Sequence, residues 1–157
     1  MTEEIADEGP LREALAFAVM AMVLADGQAD PAEIDHARAA LARCGLFAAN
    51  TVEEDRRLLA LVERQVREAE PGRAEAHAEV LAASPWRYAA LAIMADIMAA
   101  DGTMQAEEVA LIQDAGRRFA IPQAEVMAIV THVGTDAIED LITGMNLNAA
   151  AALVLDR

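Results

Sequence analysis

Apolar residues recur along this chain at the spacing of helical turns, and Gly, Pro and Asp-Gly residues divide the pattern at regular intervals. The pattern predicts helices over residues 11–24, 31–43, 52–68, 74–83, 85–100, 106–119, 123–133 and 136–143. A less regular apolar stretch, 147–155, either closes the core as a last helix or contributes a dimer contact. No strand is predicted, so we expect an all-α fold, a single compact domain of about seven to eight helices.

Two of the predicted helices begin with a capping sequence. Asp30 can cap the helix that starts at Pro31, and Glu33 completes an arrangement like a capping box. Thr51 and Glu54 form the same kind of capping arrangement before the third helix. Because carboxylates near a helix N-terminus also complement the helix dipole, these acidic residues need no functional explanation.

The chain contains an internal repeat with an offset of 75 residues. Asp26-Gly27 falls on Asp101-Gly102, and the corresponding second helices carry Glu33 and Glu108. The repeat predicts two pseudo-symmetric halves, about 11–70 and 85–145, that pack about a twofold axis. We therefore expect an acidic N-terminal tail, residues 1–10, followed by one helical domain over residues 11–157.

Composition and charge narrow the possible functions. The 157 residues include 38 alanines and five aromatic residues, a composition that favours closely packed helices over sheets. The formal net charge is -15, from 27 acidic residues and 12 basic ones that are all arginine, which argues against nucleic acid as a partner. Metal cations and basic proteins are compatible with this charge.

The longest apolar runs, the single cysteine and the N-terminus indicate in which cellular compartment the protein is expected. The runs 14–25 and 88–100 are too short to span a bilayer, so we expect no membrane insertion. Cys44 cannot form an internal disulfide, which fits a reducing compartment. The N-terminus is acidic and lacks the positive region of a secretory signal. A cytoplasmic location is therefore predicted.

The two Asp-Gly loops can be read in two ways. Asp-Gly is a common turn dipeptide, and taken one loop at a time this explanation is sufficient. However, Asp26 and Asp101 each follow a long apolar helix, where a carboxylate faces the negative pole of the helix dipole. If the halves pack about a twofold axis, six acidic residues gather on one rim: Asp26, Asp30, Glu33, Asp101, Glu107 and Glu108. Oxygen ligands of this kind suit Ca²⁺, Mg²⁺ or Mn²⁺.

Other known site types do not fit the chain. The loops lack the alternating acidic positions of an EF-hand, and His36, His77 and His132 stand apart without a second His or Cys at zinc-ligand spacing. We interpret these histidines as helix-surface or half-buried residues. Asp96 interrupts the most apolar helix, so it needs an arginine from the other half, the acidic rim, or a polar stripe to satisfy it.

No catalytic constellation is recognisable in the sequence. The chain has no Ser or Cys nucleophile near a His, no Gly-rich phosphate loop and no dinucleotide fingerprint. We therefore predict that the protein is not an enzyme. A metal-dependent enzyme would need an enclosed pocket beside Asp26 and Asp101.

The doubled element resembles the signature of the TerB (tellurite-resistance) family, which includes TerB-like domains of co-chaperone and membrane-stress proteins. That signature is Ala-Asp-Gly, a polar or acidic residue three places after the Gly, and a Glu three places further, in each half. The first copy, residues 22–33, is complete with Asp30 and Glu33. The second, residues 98–108, keeps Glu108 but has Gln105 where an acidic or hydroxyl residue is usual. The resemblance covers about residues 11–133.

The resemblance implies an all-α fold of two helical halves whose acidic residues share a surface that binds a divalent cation. Carried over by position, the ligands would be Asp26, Asp30, Glu33, Asp101 and Glu108. The cation, Ca²⁺, Mg²⁺, Mn²⁺ or Zn²⁺, stays open, and Gln105 weakens the second half of the site. A link to tellurite resistance and stress response is implied as well.

Two hypotheses follow for function. The first is a cytoplasmic, non-enzymatic domain that binds a divalent cation through the paired Asp-Gly loops and presents an acidic surface to a protein partner. The second is a metal-free protein–protein interaction module in which the acidic residues only cap helices. The identity of the partner and the oligomeric state, including a homodimer, are open at this point.

Overall fold

The computed structural model describes residues 8–24, 31–99 and 104–155. In these ranges the chain forms nine α-helices and a short 3₁₀ turn at Gly45–Phe47, with no strand. The helices are α1 Gly9–Val23, α2 Pro31–Arg43, α3 Val52–Glu68, α4 Arg73–Ala82, α5 Arg87–Met98, α6 Ala106–Arg118, α7 Gln123–Thr131, α8 Asp136–Thr143 and α9 Ala149–Leu155. The predicted all-α fold class is confirmed.

The first and fifth helices begin at different residues from those predicted. α1 begins at Gly9, so Gly9 and Pro10 belong to the helix; Pro fits its first turn, where an N–H would have no partner within the helix. Residues 1–7 of the predicted acidic tail lie outside the described residues. α5 begins at Arg87 because Ser84 turns the chain first, its Oγ accepting a hydrogen bond from the backbone N–H of Trp86 at 3.1 Å.

The capping box predicted for α3 is present. Thr51 Oγ1 accepts a hydrogen bond from the Glu54 N–H at 3.1 Å, and the Thr51 N–H donates to Glu54 Oε1 at 2.8 Å. The bond from the Thr51 backbone is the main cause of the lowered pKa of Glu54. α3 therefore begins where its sequence alone indicates.

Two apolar helices, α1 and α5, form the centre of the fold. Every residue from position 89 to position 95 in α5 is buried, and α1 buries residues from Ala14 to Val23 on most of its surface. α1 contacts α2, α3 and α4, α5 contacts α6, α7 and α8, and α1 and α5 contact each other. The 75-residue repeat and the symmetry of the two halves stay predictions.

The last helix closes the core. α9 packs against α7 and α8, Ala149 and Ala150 are buried, and Leu147 and Leu153 pack partly buried against the core. Of the two roles considered for residues 147–155, the structure supports the core-closing one. Within the described ranges, no helix has the length and apolar character needed to cross a membrane.

The Trp86 ring packs against Gly144, and this contact joins the start of α5 to the end of α8. Gly144 ends α8 with a φ of 84°, and a Cβ added there would overlap the Trp86 ring. A Cβ on Gly45 would overlap the carbonyl oxygen of Thr143. Tyr88, one turn into α5, donates its hydroxyl to Glu125 Oε1 of α7 at 2.7 Å. Trp86 and Tyr88 therefore anchor the start of α5.

A buried polar network joins α1, α3 and α4. Gln65 is buried, and its Nε2 donates to Glu13 Oε2 at 3.0 Å while its Oε1 lies 3.1 Å from His77 Nε2. The His77 ring also stacks on Phe17, with 4.5 Å between the ring centroids. Burial lowers the pKa of His77, and this exceeds the opposing effect of the Glu13 carboxylate 3.9 Å away.

Cys44 is buried at the end of α2. Removal from water raises the pKa of its thiol to about 11, so the thiolate that reacts with oxidants is disfavoured. Within the structure this residue packs as a small apolar side chain.

Substitution of Gly144 tests the contact with Trp86. We expect Gly144→Ala to lower the free energy of unfolding by about 2–4 kcal/mol, since an alanine at positive φ costs about 1 kcal/mol and the overlap with Trp86 adds about 1–3 kcal/mol. Gly72→Ala is the matched control because Gly72 has the same φ of 84° but no neighbouring atom within 4 Å of an added Cβ. Urea denaturation measures both, and equal losses would contradict the contact.

The lowered pKa of His77 predicts a pH dependence of stability. In the unfolded chain His77 takes up a proton more readily than in the folded protein, so protonation favours unfolding. This contribution is absent well above the ordinary histidine pKa and destabilises the fold as the pH drops from about 7 to about 5. The free energy of unfolding of wild type should therefore decline more steeply over this interval than that of His77→Gln. Parallel curves for the two proteins would contradict the assignment.

Candidate functional site

The five predicted ligands are only partly within the described residues. Asp26, Asp30 and Asp101 lie outside them. Glu33 is in the first turn of α2 with its side chain exposed, and Glu108 is in the first turn of α6, partly buried. The structure therefore describes the helix that follows each Asp-Gly sequence, but not the Asp-Gly sequences themselves.

Glu108 is engaged in capping α6. Its Oε1 accepts a hydrogen bond from the backbone N–H of Gln105 at 2.8 Å, and Gln105 is the N-cap residue of the helix. Sequence reasoning treated Gln105 only as a departure that weakens a metal site. In the structure Gln105 and Glu108 form the second-half counterpart of the arrangement predicted for Asp30 and Glu33. One carboxylate oxygen of Glu108 is thus used by the helix terminus.

A cluster of four ionisable side chains, one of them a histidine, joins α2, α5 and α8, and we call it the interhelix ion cluster. His36 Nε2 lies 3.3 Å from Asp96 Oδ2, and an Arg43 guanidinium nitrogen lies 3.7 Å from the same oxygen. Arg43 Nε also donates to Glu139 Oε2 at 3.1 Å. Asp96 is therefore paired with an arginine from the other half, one of the partners that the sequence predicted.

The interhelix ion cluster is only partly shielded from water. The side chains of His36 and Asp96 retain 30% and 25% of their exposure, and those of Arg43 and Glu139 more than that. Ion pairs exposed to this extent contribute about 0–1 kcal/mol to stability. Their main structural effect is to hold α2 at one position along α5 and α8.

This register brings the flanks of the two Asp-Gly sequences together. His36 lies five residues after the start of α2, about 7.5 Å along the axis, and Asp96 lies two residues before the end of α5, about 3 Å along its axis. Because the two side chains are in contact, the start of α2 and the end of α5 are neighbours. Pro31 and Ala99, the described residues that border segments 25–30 and 100–103, are at these two helix ends.

The described residues alone do not form a metal site. Within 8–24, 31–99 and 104–155, no three His, Cys, Asp or Glu side chains are grouped closely enough to hold an ion. The histidines lie on or at the end of helices and are partly buried: His77 contacts Gln65, and His132 Nδ1 lies 2.8 Å from the Ala128 carbonyl oxygen of its own helix. Their interpretation as helix-surface or half-buried residues is confirmed.

A cavity between α2 and α3 was missed by sequence reasoning. It is a groove of about 490 Å³ between α2 and α3, with Leu41, Phe47 and Leu59 among its apolar lining residues. Leu59 is half-buried: it packs against the core and also lines this groove. A sequence signal existed, since Val52, Leu59 and Ala60 share one side of α3.

Comparison with known proteins gives one match. The family model described as "Tellurite resistance protein TerB" matches residues 12–131, from the first helix to the last residue of α7. The match includes both Asp-Gly sequences and the interhelix contact of His36 with Asp96. No curated protein and no solved structure matches the chain. Because the match covers well over half of the 157 residues, this chain belongs to the TerB family.

Proposed function

We propose that this TerB-family chain is a non-enzymatic helical domain that binds a divalent cation between its two Asp-Gly loops. The observation that carries the proposal is the contact of His36 with Asp96, which makes the start of α2 and the end of α5 neighbours. Asp26 and Asp101 would be the central ligands, one from each loop. Asp30, Glu33 and the free oxygen of Glu108 would complete the site.

The chemistry of these residues supports a hard cation. A set of carboxylates offers the oxygen ligands that Ca²⁺, Mg²⁺ and Mn²⁺ prefer, whereas Zn²⁺ sites are usually built from Cys and His. α1 ends at Val23 and α5 at Met98, each three residues before its Asp, so each carboxylate would lie near the negative pole of a helix dipole. A bound cation offsets this repulsion at both helix ends.

The absence of catalysis is part of the proposal. Ser84 Oγ accepts a hydrogen bond from a backbone N–H in a turn, and the Cys44 thiol is buried with a pKa of about 11. Neither residue is placed or activated as a nucleophile. A cytoplasmic location, a protein partner and a part in tellurite resistance or stress response rest on the family and the acidic charge alone.

A metal-free interaction module is the alternative function. It is favoured by the capping bond between Glu108 and the Gln105 N–H, because this bond accounts for one candidate ligand without a cation. In this alternative the acidic surface, with its formal net charge of -15, would attract a basic protein partner.

Paired substitutions in the two loops test cation binding. We expect calorimetric titration to show binding of at least one of Ca²⁺, Mg²⁺, Mn²⁺ and Zn²⁺, and a cation at a hundred times its dissociation constant should stabilise the fold by about 2.7 kcal/mol. Asp26→Asn with Asp101→Asn should abolish both effects, because the amides keep the shape but lose the charge. Glu75→Gln with Glu79→Gln, an equal charge change on the exposed side of α4, should retain them. Binding no tighter than millimolar for all four ions would contradict the proposal.

The substitution Glu108→Gln distinguishes the cation-binding domain from the metal-free interaction module at one residue. Glutamine can still accept the hydrogen bond from the Gln105 N–H, so the helix cap and the stability without metal should be nearly unchanged. If Glu108 is also a ligand, its loss of charge should weaken cation affinity by about tenfold or more. An unchanged affinity would remove Glu108 from the ligand set and leave it a capping residue only.

A further inference from the structure

The groove between α2 and α3 leaves an apolar surface exposed on an otherwise acidic protein. α2 and α3 both pack on neighbouring helices, but across the groove they are joined by the pair of Arg38 and Glu63, 3.3 Å apart. The groove holds about 490 Å³, and Val52 at its edge is 78% exposed. Exposed apolar surface of this kind, bordered by charged residues, is typical of an interaction site.

The net charge of the segment that contains α2 and α3, residues 31–73, differs from that of the rest of the chain. Residues 31–73 contain seven arginines and eight acidic residues, whereas the remaining sequence contains five arginines and nineteen acidic residues. Two copies of a protein with a net charge of -15 repel each other on most of their surface. The ionisable residues that line the groove, Arg38, Arg56, Asp55 and Glu63, sum to no net charge, so a second copy can approach there with little repulsion.

The side of α3 that lines the groove is complementary in charge to the same side of a second, antiparallel α3. Arg56 and Glu63 lie seven residues apart, two helical turns on one side of α3, and Leu59 and Ala60 lie midway between them. When two such helices run antiparallel about a twofold axis at Leu59 and Ala60, Arg56 of each copy meets Glu63 of the other.

We propose that the α2–α3 groove is a homodimer interface in which each copy places the Val52–Glu63 side of its α3 into the groove of the other copy. The contact is isologous, as closed dimers of identical chains require. Leu59 and Ala60 supply its apolar centre, Arg56 and Glu63 supply the polar pairs on either side of it, and Val52 lies at its edge.

The existing ion pairs on α3 do not oppose this docking. Arg56 lies 3.4 Å from Glu53 of its own helix, but the Arg56 side chain is 73% exposed, so this pair is weak and easily exchanged. Glu63 already accepts a hydrogen bond from Arg38, and its carboxylate can accept a second bond from Arg56 of the other copy. Small Ala60 at the axis lets the two helix backbones approach closely.

Measurement of mass as a function of concentration tests the interface. Sedimentation equilibrium of the full chain should show a reversible change from the 16.7 kDa monomer to twice that mass. Ala60→Arg should weaken dimerisation by about tenfold or more, because two guanidinium groups then meet at the axis. Ala110→Arg, on the exposed side of α6, adds the same charge elsewhere and should leave the dimer intact.

A charge exchange identifies the partner as a second copy. Arg56→Glu should weaken the dimer, since like charges then face each other at Glu63, and Arg56→Glu combined with Glu63→Arg should restore it. Circular dichroism checks that each variant keeps its helices. A chain that stays monomeric at every concentration, a dimer unaffected by Ala60→Arg, or a double variant as weak as Arg56→Glu would each overturn the proposal.

Discussion

The close approach of α1 and α5 is the constraint on which the rest of the structure depends. Both helices are apolar on nearly all sides, and small side chains such as Ala14, Ala16, Ala92 and Ala95 fill much of their buried surface. Small residues let other helices surround each of them, so α1 gathers α2, α3 and α4 while α5 gathers α6, α7 and α8. Because α1 and α5 contact each other, the helices that pack on each of them belong to one fold.

The packing of α1 and α5 also determines where charge can be placed. α2 reaches across to α5, and the interhelix ion cluster forms where they meet, with Asp96 paired to His36 and Arg43. These partly exposed pairs stabilise the fold little, but an unpaired Asp96 in that apolar helix would be costly. The cluster therefore fixes the register of α2 on α5, and through it the relative position of the two helix ends that flank the Asp-Gly sequences.

Charge is distributed unevenly along the chain. The sequence outside residues 31–73 carries the excess of acidic residues, nineteen against five arginines, which suits a cation or a basic partner. The segment 31–73, which contains α2 and α3, is nearly neutral, rich in arginine and apolar in its groove. Because like-charged copies repel, self-association and cation binding are physically compatible only if they use different surfaces. The arrangement of α2, which borders both, would let the two events occur on one molecule.

The sequence by itself determined the helices, the positions of most of their ends and the family. These follow from local signals: apolar spacing, Asp-Gly and Pro punctuation, and the capping box of Thr51 and Glu54, whose atoms are three residues apart. Only the tertiary structure decided the partner of Asp96, the network around Gln65 and the groove that Leu59 lines besides packing against the core. Those contacts join residues on different helices, so they depend on crossing geometry and small-residue packing, which no local pattern in one sequence specifies.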